Sequence, residues 1–288
     1  MRTIVKSITA AGARHTMAIA VTGIARSTLA LVAAGALAAA TPPAGAQSVE
    51  SRVSSVGDGT VQLRFASRPG VCGDGRGSIG AGEHTMMRNY SSGSDHGYDR
   101  EWCVPGPVRV VLGVRGGEVN RARVYVGGND SSSDVRDLGT VGASEAVEYL
   151  LSLARRARSG VGDDAILAAV LADSVTPWPA LFSIARSESV PHATRESATF
   201  WLSRAAAAAV NHRELFADHD EDESERDEVR GAAVFALSQQ PHDDGVPALI
   251  RVARSNTSPS VRSKALFWLG QSGDPRALDL FAEILGVN

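Results

Sequence analysis

The chain has 288 residues, 43% of them apolar, 5% aromatic and 21% charged, with a formal net charge of −3 at neutral pH. That composition excludes a disordered polymer and suits a folded, mainly helical protein of one large or two modest domains. No basic patch supplies the phosphate-neutralising charge that nucleic-acid binding needs.

Residues 1–46 carry Arg2, Lys6, Arg14 and Arg26 and no acidic side chain. The apolar run "TLALVAAGALAAAT" follows Arg26, then Pro42, Pro43 and the small triplet Ala44-Gly45-Ala46. A basic start, a short apolar core and an A-x-A site predict a secretory signal peptide cleaved after residue 46. The apolar run is too short to span a bilayer, which takes about 17–25 residues. The expectation is therefore an exported chain, periplasmic or secreted, with no stable membrane span after cleavage. Residues 1–46 hold four of the 29 basic groups, so cleavage leaves 25 against 32 acidic ones, a net charge of −7.

From residue 47 to 128 the pattern predicts a small β-rich domain. "GTVQLRFAS" from Gly59 alternates apolar and polar residues as a half-buried strand does. "PVRVVLGVRGGEVNRARVYVGG" from Pro107 reads as two strands joined at Gly116-Gly117. Between them lies a glycine- and serine-rich, poorly periodic stretch bounded by Cys72 and Cys103, the only cysteines in the chain. An even count in an oxidising compartment reads as one disulfide. In the chain-entropy account, closing a loop of this length contributes about 3.5–4 kcal/mol.

The polar stretch 129–142, "NDSSSDVRDLG" within it, predicts a linker. The hydrophobic period then changes to 3.6. Ser144 is placed to cap a helix containing "EAVEYLLSLARRA", and Asp163 to open the next. Thr176-Pro177, Ser258-Pro259 and Asp274-Pro275 read as three further helix starts, since proline at the first helical position costs no hydrogen bond.

An internal repeat is the strongest signal. "TRESATFWLSR", "VRGAAVFALSQ" and "VRSKALFWLGQ" align on Arg195, Arg230 and Arg262, spaced 35 and 32 residues apart. Trp201 and Trp268 fall on equivalent positions, with Phe235 beside that place in the middle copy. A period near 35 built from two helices predicts a stacked helical array. In the middle copy Val229, Ala232, Ala233, Ala236 and Leu237 form one apolar face, expected to be buried by a neighbouring repeat.

The proline-opened first helix, the "VR" leading the second, and "GDPRAL" at Gly273–Leu278 resemble HEAT repeats, of the bacterial, phycobilisome-lyase-like kind. The resemblance spans about 143–286 and implies an α–α superhelix, or solenoid, that binds proteins. With the exported β-rich segment, it is similar to secreted HEAT-repeat proteins. The expected fold class is thus mainly α: a HEAT-type solenoid over 143–288 behind a disulfide-stapled β-rich domain. The first helix expected before Arg230 is degenerate, its place largely taken by the acidic run Asp218–Glu228.

Motifs for chemistry are weak. The acidic run places Glu223 and Val229 where a calcium loop needs glycine and an acidic ligand. "CGDGRG" at Cys72 lacks the Gly-Lys-Ser/Thr ending of a phosphate loop. No nucleophile elbow, Ser-x-x-Lys pair or zinc-protease signature occurs. The sequence calls for no metal and no cofactor. The reading is a non-enzymatic interaction protein with a protein or peptide partner. His192, Glu196 and Arg204 are candidates for the array's binding surface, and Tyr90, Tyr98 and Trp102 for that of the stapled loop. The repeated arginines are expected to fix turns through carboxylates such as Asp274. The alternative is an enzyme or enzyme accessory with a metal or active site in the Cys72–Cys103 loop, where His84, Asp95, His96, Asp99 and Glu101 offer ligand-type side chains.

Overall fold

A computed structural model describes residues 47–81, 85–88, 103–128, 134–158, 160–210 and 225–287. The first part runs α1 (Val49–Ser54), β1 (Gly59–Phe65), β2 (Val71–Gly73), β3 (Ile79–Ala81), β4 (Thr85–Arg88), β5 (Val104–Pro105), β6 (Val108–Arg115), β7 (Glu118–Val126) and β8 (Val135–Thr140). One sheet has the order β7-β6-β1-β8. Its antiparallel core aligns Val61 with Leu112 and Leu63 with Val110, so alternate residues meet on one buried face. Gly116 and Gly117 turn the β6–β7 hairpin with φ of 60° and 79°, the left-handed pair that a tight hairpin requires.

The expected linker is a strand in its second half. β8 pairs in parallel with β1, and Arg64 reaches across to Asp137. The stretch after Cys72 also holds strands, giving a second sheet in the order β4-β3-β2-β5. Cys72 and Cys103 are bonded, with Cα atoms 5.0 Å apart. The Asp74 carboxylate accepts from the backbone N–H groups of Arg76, Gly77 and Ser78 at 2.8–2.9 Å. The turn that invited a phosphate-loop reading thus holds its own anion. Gly75 is obligatory there: with φ of +70° it passes so close that a Cβ would lie 2.6 Å from Gly128 Cα.

The second part comprises α2 (Ala143–Arg156), α3 (Val161–Leu171), α4 (Trp178–Arg186), α5 (His192–Val210), α6 (Glu225–Ser238), α7 (His242–Ser255), α8 (Pro259–Gln271) and α9 (Pro275–Leu285). Ser258 and Asp274 cap α8 and α9 as expected, accepting from Val261 N and Arg276 N. The first three starts shift. Gly142 and Gly160 hold the cap positions before α2 and α3, displacing Ser144 and Asp163, and Pro177 stands outside α4. α7 begins five residues ahead of Pro247, which lies inside the helix.

The helices form two layers. α2, α4, α9 and α7 follow one another in the first, and α3, α5, α8 and α6 in the second. The stack therefore does not run in chain order. α8 lies between α5 and α6, with Gly270 against Ser203 on one side and Gly231 against Lys264 on the other. From α6 onward the chain returns toward α5. Arg186–Asp279 joins α4 to α9 and Arg254–Glu283 joins α7 to α9.

Ala46–Asn288 is one compact unit, in which the sheets and the helices pack together. α3 lies against β6 and β7, and one apolar core runs from Val49 to Phe281. Arg68 is one polar tie between them. Its Nε donates to Val170 O at 2.8 Å, its Nη2 donates to Val175 O, and its guanidinium stands 5.9 Å above the Trp178 ring. A cation on the Val170 carbonyl, in the last turn of α3, also opposes the negative end of that helix.

Candidate functional site

The three repeat copies occupy α5, α6 and α8, and their equivalent positions differ sharply in exposure. One residue before the arginine, Thr194 and Val261 are buried while Val229 is 66% exposed. Three residues after it, Ala198 and Ala265 are fully buried while Ala233 is exposed. Ala232 and Ala236 are exposed too, Phe235 is 49% exposed, and Leu237 is half-buried. The apolar face of the middle copy, expected to be covered, is open: among the described residues α6 packs on α8 and α7 with its other side. Phe235 leans on Trp268 at 5.1 Å, so this patch continues onto α8, where Phe267 is 40% exposed.

The repeated arginines stand near the starts of sister helices, Arg195 and Arg262 in the first turn of α5 and α8 and Arg230 in the second turn of α6, but they do not share a partner. Arg262 donates to Asn256 O and Thr257 O, closing the α7–α8 turn. Arg230 pairs with Asp227 at 3.2 Å, and Asp227 in turn accepts from Ser258 Oγ. Arg195 Nε is buried without a hydrogen bond. None of the three is placed on Asp274. That carboxylate is gripped by Arg276 through Nε at 2.9 Å and Nη2 at 2.7 Å, bonds that pull its pKa down while burial pushes it up.

Phe200–Trp201 and Phe267–Trp268 repeat one edge-on geometry, 5.2 and 5.1 Å apart. Trp201 is buried and Trp268 is half-buried against α6. His192 and Glu196 form an exposed pair, Nδ1 to Oε2 at 3.2 Å, one turn apart on α5. Arg204 is partly buried, and desolvation lowers its pKa, so it does not join them on an open surface. Tyr90, Tyr98 and Trp102, and His84, Asp95, His96, Asp99 and Glu101, lie outside the described residues.

Two hollows flank the array. A cavity of about 190 Å³ at the α6–α7 turn is floored by Val246, Leu249 and Trp268 and edged by His242, Gln240 and Gln271. A larger cleft of about 700 Å³ opens where α1, the β6–β7 turn and the α2–α3 corner meet. Val53, Leu153, Ala157 and Val161 make its apolar floor, together with the ring of Tyr149. Burial pushes the Tyr149 phenol up to about 12, with Arg156 pulling it down and Glu50 raising it. Arg115, Arg156 and Arg158 stand around the rim with Glu50 and Glu118. Sequence reasoning missed this cleft, since its charged residues come from three separate segments with no shared spacing.

Residues 221–288 match the family described as HEAT repeats, the stretch that holds α6 to α9. No curated protein and no solved structure matches the chain. Among the described residues, no helix is long and apolar enough to cross a membrane.

Proposed function

We propose that this chain is an exported, non-enzymatic interaction protein that binds a protein or peptide partner on its helical array. The observation that carries the reading is the open apolar face of α6, with Val229, Ala232, Ala233 and Ala236 in one stripe and Phe235 beside it. Contiguous exposed apolar surface on a folded protein marks a contact site, and stacked helical repeats act through their extended faces. The match to HEAT repeats over 221–288 supports a partner-binding role. On this reading the repeats extend back through α2–α5, are of the bacterial, phycobilisome-lyase-like kind, and are capped by the sheet. The basic and apolar start of the chain directs export, and cleavage after Ala46 leaves a net charge of −7, which disfavours nucleic acid.

The test is capture from the native cell envelope with wild-type protein and with the Ala232→Glu/Ala236→Glu variant. Both substitutions fall on exposed positions, so the variant unfolds at nearly the same temperature. A stoichiometric partner held by wild type and lost by the variant supports the proposal. Equal capture by both, or none by either, overturns it. Amino-terminal sequencing of the protein from its host checks export, with Gln47 as the expected first residue.

A further inference from the structure

We propose that the cleft between α1, the β6–β7 turn and the α2–α3 corner is a binding site for a carboxylate carried on an apolar group. The inference rests on this cleft alone and is independent of the α6 face. Its volume of about 700 Å³ falls within the range of small-ligand sites, roughly 300–1,000 Å³. Val53, Leu153, Ala157 and Val161 are each at most 8% exposed to solvent and offer a dry floor for an apolar chain.

The charges around that floor are unevenly committed. Arg156 is bound to Glu50 at 2.8 Å and to Ser152 Oγ at 2.6 Å, so that pair is internally neutral. Glu118 stands opposite Arg115 in the hairpin register without forming an ion pair. Arg115 and Arg158 are exposed guanidinium groups that make no hydrogen bond or ion pair within the described chain. The cleft thus carries one net positive charge on a chain whose overall charge is −3. Guanidinium donors match the two oxygens of a carboxylate in a planar fork.

Two further donor groups line the same cleft. The Tyr149 phenol keeps its proton at every physiological pH, because burial holds its pKa near 12. The start of α3 lines the cleft at Val161, and its cap residue, Gly160, has no side chain to occupy the first free N–H groups. An apolar floor below and a single surplus charge above favour a monoanion with a hydrophobic body over a phosphate. Two sources share that chemistry: the carboxyl terminus of a peptide ending in apolar residues, and a fatty acid.

The experiment is calorimetric titration of the purified protein with two matched pairs of probes. One pair is dodecanoate and dodecanol; the other is an octapeptide ending in Leu-Leu with a free carboxylate, and its amide. Saturable binding of either carboxylate with at least tenfold weaker binding of its neutral partner is expected, and the pair that responds identifies the source. Arg115→Gln and Arg158→Gln each weaken binding roughly tenfold, the scale of one lost hydrogen bond to a charged group, and Tyr149→Phe weakens it by less. The two arginine positions are exposed, so those variants fold. Failure of both carboxylates to bind, equal binding of charged and neutral partners, or undiminished binding by the Arg115→Gln/Arg158→Gln variant overturns the assignment.

Discussion

The two ends of the helical stack solve the same problem in opposite ways. At one end α3 is apolar on almost every side, with Ala165, Ile166, Ala168, Ala169, Val170 and Leu171 all at 0% exposure. It reaches that state because the sheet lies over it, β6 and β7 covering what α2 and α5 leave open. At the other end α6 packs on α8 and α7 and keeps its alanine stripe exposed. A stack of repeats needs its terminal members closed by something of different character. Here one end is covered within the chain, and the other, among the described residues, is not.

The largest effect that tests this contrast comes from removing the cap. Residues 143–288 expressed alone leave α3 facing water over the surface that β6 and β7 cover. Each large apolar side chain uncovered loses about 1.5–3 kcal/mol, and a few of them are comparable with a typical total stability of about 5–15 kcal/mol. The expected outcome is aggregation or a broad, non-cooperative thermal transition by circular dichroism. A sharp transition would show that the sheet is an appendage and the two ends are alike.

Arg68→Ala sharpens the same point with one side chain. It removes the donors to Val170 O and Val175 O and the positive charge over Trp178, at the seam where Arg68 N also meets Leu171 O at 2.8 Å. A loss of about 2 kcal/mol is expected in denaturant titration, from hydrogen bonds made by a charged group. A change below about 0.5 kcal/mol, the scale of an ordinary surface substitution, would mean that the seam is held by packing alone.

Acid acts on the sheets and on the helical stack alike. Asp74 beside the disulfide and Asp274 at the head of α9 both have pKa values lowered in the fold. For Asp74 burial works against the shift and three backbone N–H groups prevail; for Asp274 the bonds from Arg276 lead. A carboxyl whose folded pKa lies below its unfolded one stabilises the fold above the unfolded value, near 4, and loses that contribution as pH falls through the folded value. Thermal stability should therefore be flat from pH 7 to about 5 and fall below pH 4. Asp74→Asn and Asp274→Asn should each reduce the steepness of that fall. If neither does, these carboxylates are not what the fold loses in acid.

What could be read in advance follows from how local each feature is. The β6–β7 hairpin, the β1 strand and the Ser258-Pro259 and Asp274-Pro275 helix starts are written in adjacent residues, and all stand where expected. β8 was hidden because "VRDLGT" carries few apolar residues, and only its pairing with β1 makes it a strand. The order of the stack was hidden for a deeper reason. Three copies of one helix present matching faces, so the pattern shows which surfaces fit together but not which copy meets which. α8 meeting α5 satisfies the pattern as well as α6 meeting α5 would, and the choice depends on contacts far apart in the chain. The cleft was illegible on the same grounds: Glu50, Arg115 and Arg158 share a wall only after α1, the hairpin and the α2–α3 corner have met.

The smallest expected effect is the one most specific to the comparison. Ala198, Ala233 and Ala265 hold the same place in the three repeat copies, and a sequence-based argument assigns them the same sensitivity. In the structure Ala198 and Ala265 have no exposed surface, while Ala233 faces outward. Glutamate at either buried position forces a charge into the packed interior without a partner, an unfolding change of more than about 4 kcal/mol. Ala233→Glu adds a good helix former on an open face and should shift stability by no more than about 0.5 kcal/mol. Denaturant titrations of the three variants side by side read the difference directly. Equal, severe losses in all three would mean that α6 is covered after all, within this chain, and would move the partner's docking place elsewhere. A silent Ala233→Glu beside two unfolded variants would leave α6 as the one copy whose apolar face the fold itself does not use.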